Sequence, residues 1–133
     1  MVHEITPSRV TLAPIEEWPT GDSRTLAFTV AVDDQGTPKD LSNNTIRWSL
    51  LRKPYAERAD AVVTDADAGV TLQTDGVVDP TAGEFRVDIA EDTVTGWGPR
   101  WQRVVVDPPD DSRQSWRGPV TLVARGGGDG GNA

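Results

Sequence analysis

Apolar residues recur at every second position along most of this chain. In residues 24–32, Leu26, Phe28, Val30 and Val32 share one side, while threonine and alanine occupy positions between them. A period of two is typical of β-strands that bury one face. The same alternation predicts strands over residues 45–51, 61–63, 70–73, 83–89, 101–106 and 119–124.

The predicted strands are short and are separated by turn residues about every ten positions. Seven or eight such strands predict an all-β, immunoglobulin-like antiparallel β-sandwich. A further strand over residues 9–12 is expected at a sheet edge, because Pro7 and Pro14 bracket it. Residues 91–96 start with acidic residues and end at Gly96, which favours one short helical turn.

The chain has 133 residues, which is enough for one domain with its own core. We expect the sandwich to span residues 21–125. An N-terminal arm over residues 1–20, with a possible edge strand, precedes it, and a flexible glycine-rich tail over residues 126–133 follows. No signal peptide and no apolar run of about 20 residues is found, so we expect synthesis in the cytoplasm.

The charge balance excludes several classes of partner. The net charge of −8 argues against nucleic acids and against anionic membrane surfaces. Of the 21 acidic residues 15 are aspartates, and of the 13 cationic residues 11 are arginines. This balance is typical of proteins from extreme halophiles, where molar salt screens like-charge repulsion. A genome rich in G and C would favour the same residues.

Groups able to perform catalysis are few. There is no cysteine, so disulfides and thiolate metal sites are excluded. The single histidine, His3, belongs to the expected arm, where we expect it to be solvated rather than placed beside a nucleophile. No Gly-x-Ser-x-Gly motif is present. The sequence therefore predicts a non-enzymatic protein without a cofactor.

Loop aspartates are the candidates for binding a hard cation, which prefers oxygen ligands. They form three groups: Asp33 with Asp34, Asp65 with Asp67, and Asp107 with Asp110 and Asp111. Residues 65–76 begin like a calcium-binding EF-hand loop, but Gly76 stands where the bidentate glutamate belongs. We therefore predict solvated loops and no metal site, with cation binding as an alternative.

Tryptophan and arginine near strand ends supply the candidate protein interface, because both are enriched at interaction hot spots. The candidates are Trp18, Trp97, Arg100, Trp101, Arg113, Trp116 and Arg117. Trp48, on an alternating strand, is predicted to be a core residue instead. Two alternatives remain open: the candidates fill the core and pair with aspartates, or Trp97, Trp101 and Trp116 form a platform that stacks on sugars.

Five segments carry strand and turn signals in a fixed order. They are GDSRTLAFTV at 21–30, DQGTPKDLS at 34–42, TIRWSL at 45–50, GEFRVDI at 83–89 and DT at 92–93. Together they resemble the small immunoglobulin-like domains of tailed bacterial and archaeal viruses. They are similar to the N-terminal module of the phage baseplate upper protein, which anchors receptor-binding proteins to the tail. The resemblance covers most of residues 20–124.

The resemblance implies a virion structural protein at the tail or baseplate, assembled in the host cytoplasm. Its partners would be other virion structural proteins, in a homo-oligomeric or multi-copy assembly. The family has no catalytic residues to carry over. Because no second domain follows the sandwich, capsid decoration and a head–tail junction are alternatives to the adaptor role. A carbohydrate- or cation-binding sandwich is the alternative from another class.

Overall fold

The structure is a computed structural model that describes residues 2–6, 11–107 and 114–124. These residues form β1 (Val2–Ile5), β2 (Ile15–Pro19), β3 (Arg24–Val30), β4 (Thr45–Leu51), β5 (Val63–Thr64), β6 (Val70–Gln73), β7 (Glu84–Ile89), β8 (Gly98–Asp107) and β9 (Gln114–Val123). Two short 3₁₀ turns lie at Arg58–Asp60 and Pro80–Ala82. No helix in the described ranges is long and apolar enough to cross a membrane.

The strands form two sheets, ordered β1-β3-β7-β6 and β2-β9-β8-β4-β5. The orders β1-β3-β7-β6 and β9-β8-β4 match the A-B-E-D and G-F-C sheets of an immunoglobulin domain, with β2 added at the β9 edge and β5 at the β4 edge. The predicted immunoglobulin-like β-sandwich is confirmed. Pairing is antiparallel except between β1 and β3 and between β2 and β9, which are parallel.

The first twenty residues differ from the expected arm. Their described part contributes an edge strand to each sheet, because β1 pairs with β3 and β2 pairs with β9. Ile5, Leu12, Ile15 and Trp18 from this segment are buried in the core. This part of the segment therefore belongs to the sandwich. Of the tail predicted over residues 126–133, none lies within the described residues.

A glycine on β9 lets the N-terminal segment approach closely. A Cβ atom on Gly118 would lie 2.6 Å from Leu12 Cβ and 2.7 Å from Leu12 O. The amide of Leu12 donates a hydrogen bond to Arg117 O at 2.8 Å, and Thr11 forms a parallel bridge with Arg117. These contacts cover the described part of the edge strand predicted at residues 9–12, and they hold it against β9.

The core lies between the sheets and is built from inward-facing apolar side chains. Trp48 is fully buried at the middle of β4, opposite Val104 of β8, as the alternation predicted. Its indole Nε1 donates a hydrogen bond to Gln102 Oε1 at 3.1 Å. The chain has no cysteine, so no disulfide packs against this tryptophan as one does in antibody domains.

His3 lies in the core, so the expectation of a solvated histidine is wrong. Its ring stacks on Phe28 with centroids 5.1 Å apart, and Phe28 stacks on Phe85 at 4.6 Å. The three rings come from β1, β3 and β7, which are neighbours in one sheet. Burial, and secondly the positive charge of Arg24, lower the pKa of His3. The imidazole is therefore neutral at pH 7 and serves as a packing ring.

The helical turn predicted at residues 91–96 does not form. Asp92 has a φ of 63°, which lies in the left-handed region and breaks a right-handed helix. The segment instead bonds to the β2–β3 turn: Asp92 N donates to Gly21 O, and Gly21 N donates to Val94 O, both at 2.8 Å. Val94 is buried, which anchors this loop to the core.

Candidate protein interface

Two of the predicted interface tryptophans are core residues. Trp18 is only 1% exposed and Trp116 only 7% exposed. Trp116 shares the inward side of β9 with Val120 and Leu122, an alternation that the sequence shows but that the interface prediction ignored. A buried side chain presents no surface to a partner, so the prediction is wrong for Trp18 and Trp116.

Arg117 is used within the fold. Its guanidinium Nη1 donates hydrogen bonds to Pro54 O and to Ala56 O, the second at 3.0 Å. Arg103, opposite Arg117 on β8, lies 3.6 Å from the Glu57 carboxylate. We call residues 52–62 the covering loop, because these contacts hold it across the outer face of the five-stranded sheet. Arg117 therefore stabilises this loop rather than a protein interface.

Trp101 occupies the same outer face and is half-buried. Its register partners are Leu51 on β4 and Pro119 on β9, which gives an apolar row across three strands. Leu51 is fully buried although it faces away from the core. Trp101 thus contributes mainly to packing on this face. The remaining predicted arginine, Arg113, lies outside the described residues.

Trp97 in the β7–β8 loop and Arg100 near the start of β8 belong to the end of the sandwich where the covering loop lies beside the β7–β8 loop. Trp97 is 75% exposed, the most exposed large apolar side chain among the described residues. Arg100 lies on the inward side of β8, in register with the buried Val120, but its side chain lines the space between the two loops. Its guanidinium therefore reaches the end of the sandwich instead of the core.

A cleft of about 500 Å³ lies between these two loops. Its lining residues are Arg52, Asp60, Ala61, Val62, Thr95, Gly96 and Arg100. We call it the arginine cleft. Because Arg52 comes from the covering loop and Arg100 from β8, the sheet order brings together two cations that are far apart in the chain.

Gly96 leaves the space that the Arg100 side chain occupies. A Cβ atom on Gly96 would lie 3.1 Å from Arg100 Nη2, and Gly96 has a φ of 83° that side chains rarely adopt. Arg100 Nη1 donates a hydrogen bond to Pro99 O at 2.9 Å, while Nε is buried without a partner. The guanidinium is thus held against the loop with part of its hydrogen-bonding capacity unused.

Arg52 and Tyr55 were not predicted. Arg52 also lines a neighbouring cavity of about 380 Å³, together with Tyr55, Glu57 and Asp60. Tyr55 is 73% exposed, and Lys53 Nζ lies 5.9 Å from its ring centroid. We call Arg52, Tyr55, Trp97 and Arg100 the loop-end surface. In the sequence, this surface is marked only by the cationic pair Arg52–Lys53, with Tyr55 two residues later, in a chain that is otherwise acidic.

The loop aspartates mostly hold turns. Asp65 Oδ1 accepts hydrogen bonds from Trp48 N at 2.9 Å and from Arg58 Nη1 at 2.6 Å. Asp67 accepts one from Thr64 N at 2.9 Å, and Asp33 accepts from two backbone amides in its own turn. Among residues 2–6, 11–107 and 114–124, no group of three potential ligands is placed to hold a metal ion.

No family model matches the chain, and no curated protein matches it. Among solved structures, it is similar to the NK cell receptor NKp44, described as a triggering partner in natural cytotoxicity. That match has a TM-score of 0.47 and 17% identity, and covers 87% of this chain and 100% of the receptor chain.

The chain is also similar to the cysteine protease inhibitor EhICP2 from Entamoeba histolytica. The TM-score is 0.37 at 8% identity, over 92% of this chain and 96% of the inhibitor chain. Both TM-scores are too low to support an argument about function. The immunoglobulin-like assignment stands on the strand order itself.

Proposed function

We propose that this chain is a non-enzymatic binding module that contacts a neighbouring protein through its loop-end surface. One observation carries this proposal: two arginines line a single cleft, and two exposed aromatic residues belong to the loops that form it, Trp97 directly after Gly96 of the lining and Tyr55 in the covering loop. Tryptophan, tyrosine and arginine are the residues that dominate binding energy at protein interfaces. Isolated exposed apolar residues are ordinary, but a cluster beside a cleft marks a contact site.

The setting that we propose is the particle of a tailed virus, with other virion structural proteins as partners. The support is the resemblance of residues 20–124 to the immunoglobulin-like modules of such viruses. An adaptor contacts two partners, and the loop-end surface would supply one of these two contacts. A halophilic host would fit the excess of aspartate and arginine.

The sugar platform of Trp97, Trp101 and Trp116 finds no support in the geometry. Trp116 is 7% exposed and points into the core, while Trp101 is half-buried on the outer face. Only Trp97 of the three presents an open ring. Stacking of a sugar on a platform requires several exposed rings on one surface, and these three tryptophans do not provide them.

The proposal is tested by locating the chain and its contacts in particles. Virus particles released from a culture that expresses the gene are purified on a density gradient, and the chain is quantified against the major capsid protein. Few copies would indicate the tail or baseplate, and hundreds would indicate capsid decoration. Absence of the chain from banded particles would overturn the virion setting.

A photoreactive amino acid placed at position 97 then maps the contact. We expect cross-links to one virion protein from position 97 and none from position 121, an exposed residue on the outer face of β9. Equal cross-linking from positions 97 and 121 would show that the loop-end surface is not the contact site.

A further inference from the structure

Three of the described arginines form ion pairs, and the two arginines of the arginine cleft are not among them. Arg58 pairs with Asp65, Arg86 with Asp88, and Arg103 with Glu57. Neither Arg52 nor Arg100 pairs with a carboxylate in the described part of the chain, although the chain has an excess of eight acidic residues.

The Arg100 guanidinium is also incompletely hydrogen-bonded. Its Nε is buried without a partner, and Nη1 bonds only to the carbonyl of Pro99. A buried donor without an acceptor is unfavourable, because it has lost its water without gaining a hydrogen bond. Because this Nε atom is enclosed by the protein, a ligand in the cleft would meet the rest of the Arg100 guanidinium.

The charge of the cleft distinguishes between anions. Arg52 and Arg100 supply two positive charges, and Asp60 on the same lining supplies one negative charge. The formal sum of +1 suits a carboxylate with a single charge better than a phosphate monoester with nearly two. The planar guanidinium fork also matches a carboxylate in a bidentate geometry.

The size of the cleft indicates more than an isolated carboxylate. The cleft is open to solvent, and its volume of about 500 Å³ leaves room for more than a single carboxylate group. Trp97 is the residue after Gly96 of the lining, and its exposed ring is available for the aliphatic part of such a ligand. A glutamate-containing segment provides both a carboxylate and an aliphatic stem.

We infer that the arginine cleft binds a carboxylate side chain from an acidic segment of the partner protein. This inference rests on the proposed function, because it names the chemistry by which the loop-end surface recognises its neighbour. Arg100 and Arg52 bind the carboxylate oxygens from two sides, and Trp97 covers the stem. The local positive charge of the cleft recognises the acidic segment, although the net charge of −8 on this chain repels an acidic partner as a whole.

The probe for this inference is a hexaglutamate peptide that is blocked at both ends, with hexaglutamine as the uncharged control. Binding to the wild-type chain is measured by calorimetry. The Nε–H signals of the arginines and the indole signal of Trp97 are followed by nuclear magnetic resonance. We expect binding of hexaglutamate alone, with shifts confined to Arg52, Arg100 and Trp97. Shifts spread over all exposed arginines would overturn the inference.

Three variants of equal net charge locate the binding site. Arg52→Gln and Arg100→Gln each remove one positive charge from the cleft, and Arg47→Gln removes one from an exposed position on β4. We expect an affinity loss of about tenfold or more for the cleft variants and less than twofold for the control. Equal losses in all three would show that only the overall charge matters, and the inference would fail.

One more variant and one more peptide distinguish the possible explanations of binding. Arg100→Lys keeps the charge but not the fork, and we expect it to recover only part of the affinity. A phosphoserine peptide that binds more tightly than hexaglutamate would overturn the choice of carboxylate. If no peptide binds, carboxylate binding by the arginine cleft is refuted, whereas the contact site mapped by cross-linking from position 97 is not. Absence of the chain from particles would refute the virion setting but not the peptide binding.

Discussion

Tryptophan and arginine occur in two regions of this molecule with opposite surroundings. In the walls of the sandwich, Trp18 and Trp116 are buried and Arg117 bonds to the covering loop. At the loop end, Trp97 is exposed and Arg100 retains an unpartnered donor. The same residue types therefore stabilise the fold in one region and remain available in the other. The difference lies in whether a residue packs within the sandwich or belongs to the loops and strand ends at the loop end, not in composition.

The test with the largest expected effect replaces one tryptophan in each region. We expect Trp18→Ala to lower the free energy of unfolding by about 3–5 kcal/mol, because it leaves a large cavity in the core. Trp97→Ala should change it by less than about 0.5 kcal/mol, as is usual for exposed positions. Urea unfolding followed by circular dichroism measures both. Similar losses for the two variants would show that Trp97 is also part of the packing.

A smaller effect is expected from arginines in the two regions. Arg117→Ala removes both hydrogen bonds to the covering loop and should cost about 1–2 kcal/mol. Arg52→Ala removes no hydrogen bond or ion pair seen among the described residues, so its effect should stay below about 0.5 kcal/mol. Hydrogen exchange would locate the change: amides of the covering loop should lose protection in Arg117→Ala only.

His3 extends the comparison to acid sensitivity. Because its pKa in the folded protein lies below the usual 6.5, the unfolded chain takes up the proton more readily. This contribution to stability is complete above about pH 6.5 and is lost as the pH falls from 6.5 towards the lower folded pKa. His3→Phe, which keeps a ring on Phe28, should flatten the pH dependence of stability between pH 7 and 5.

Three aspartates contribute to the pH dependence of stability in a lower pH range than His3 does. Hydrogen bonds from Thr37 and Ser42 lower the pKa of Asp33 and Asp40, respectively, below 3.8. At Asp88, partial burial favours the neutral form, but hydrogen bonds from Arg86 and Thr25 outweigh it and lower the pKa. Their contribution is lost only below about pH 4, so it should persist in His3→Phe. An unchanged slope between pH 7 and 5 would contradict the role given to His3.

The smallest change expected is spectroscopic. Trp97→Phe should remove most of the tryptophan emission that acrylamide quenches easily, because Trp97 is 75% exposed and three other tryptophans are less than 10% exposed. The partly exposed Trp101 accounts for the remainder. Trp116→Phe, as the matched control, should leave the quenchable fraction unchanged. A large decrease in the control would show that Trp116 reaches solvent.

The sequence predicted the strands that alternate regularly. The bounds of β4 and β6 agree with the prediction, because polar and apolar residues alternate without interruption there. β1 and β2 were missed because each pairs in parallel with a strand remote in the chain, which no local pattern reveals. β2 also carries an irregularity between Ile15 and Trp18, which disturbs the alternation that would have marked Trp18 as buried.

The candidate site was predicted in part. Trp97 and Arg100 were predicted from their residue types and their position near a strand end, and the structure places both at the loop end. Arg52 and Tyr55 could not be grouped with them, because the proximity of the covering loop to the β7–β8 loop depends on the order of strands in the sheet. Trp116 could have been assigned correctly by extending the alternation of β9 back through Gly118.

The parallel pair of β2 and β9 has a consequence for how the chain reaches its native state. Ile15 pairs with Val120, so roughly a hundred residues must be synthesised before the second strand finds its partner. Such non-local closure slows folding, since loop entropy is lost before the contacts form. During translation, Ile15 and Trp18 would meanwhile remain uncovered, so this segment exposes apolar surface until β9 has been made.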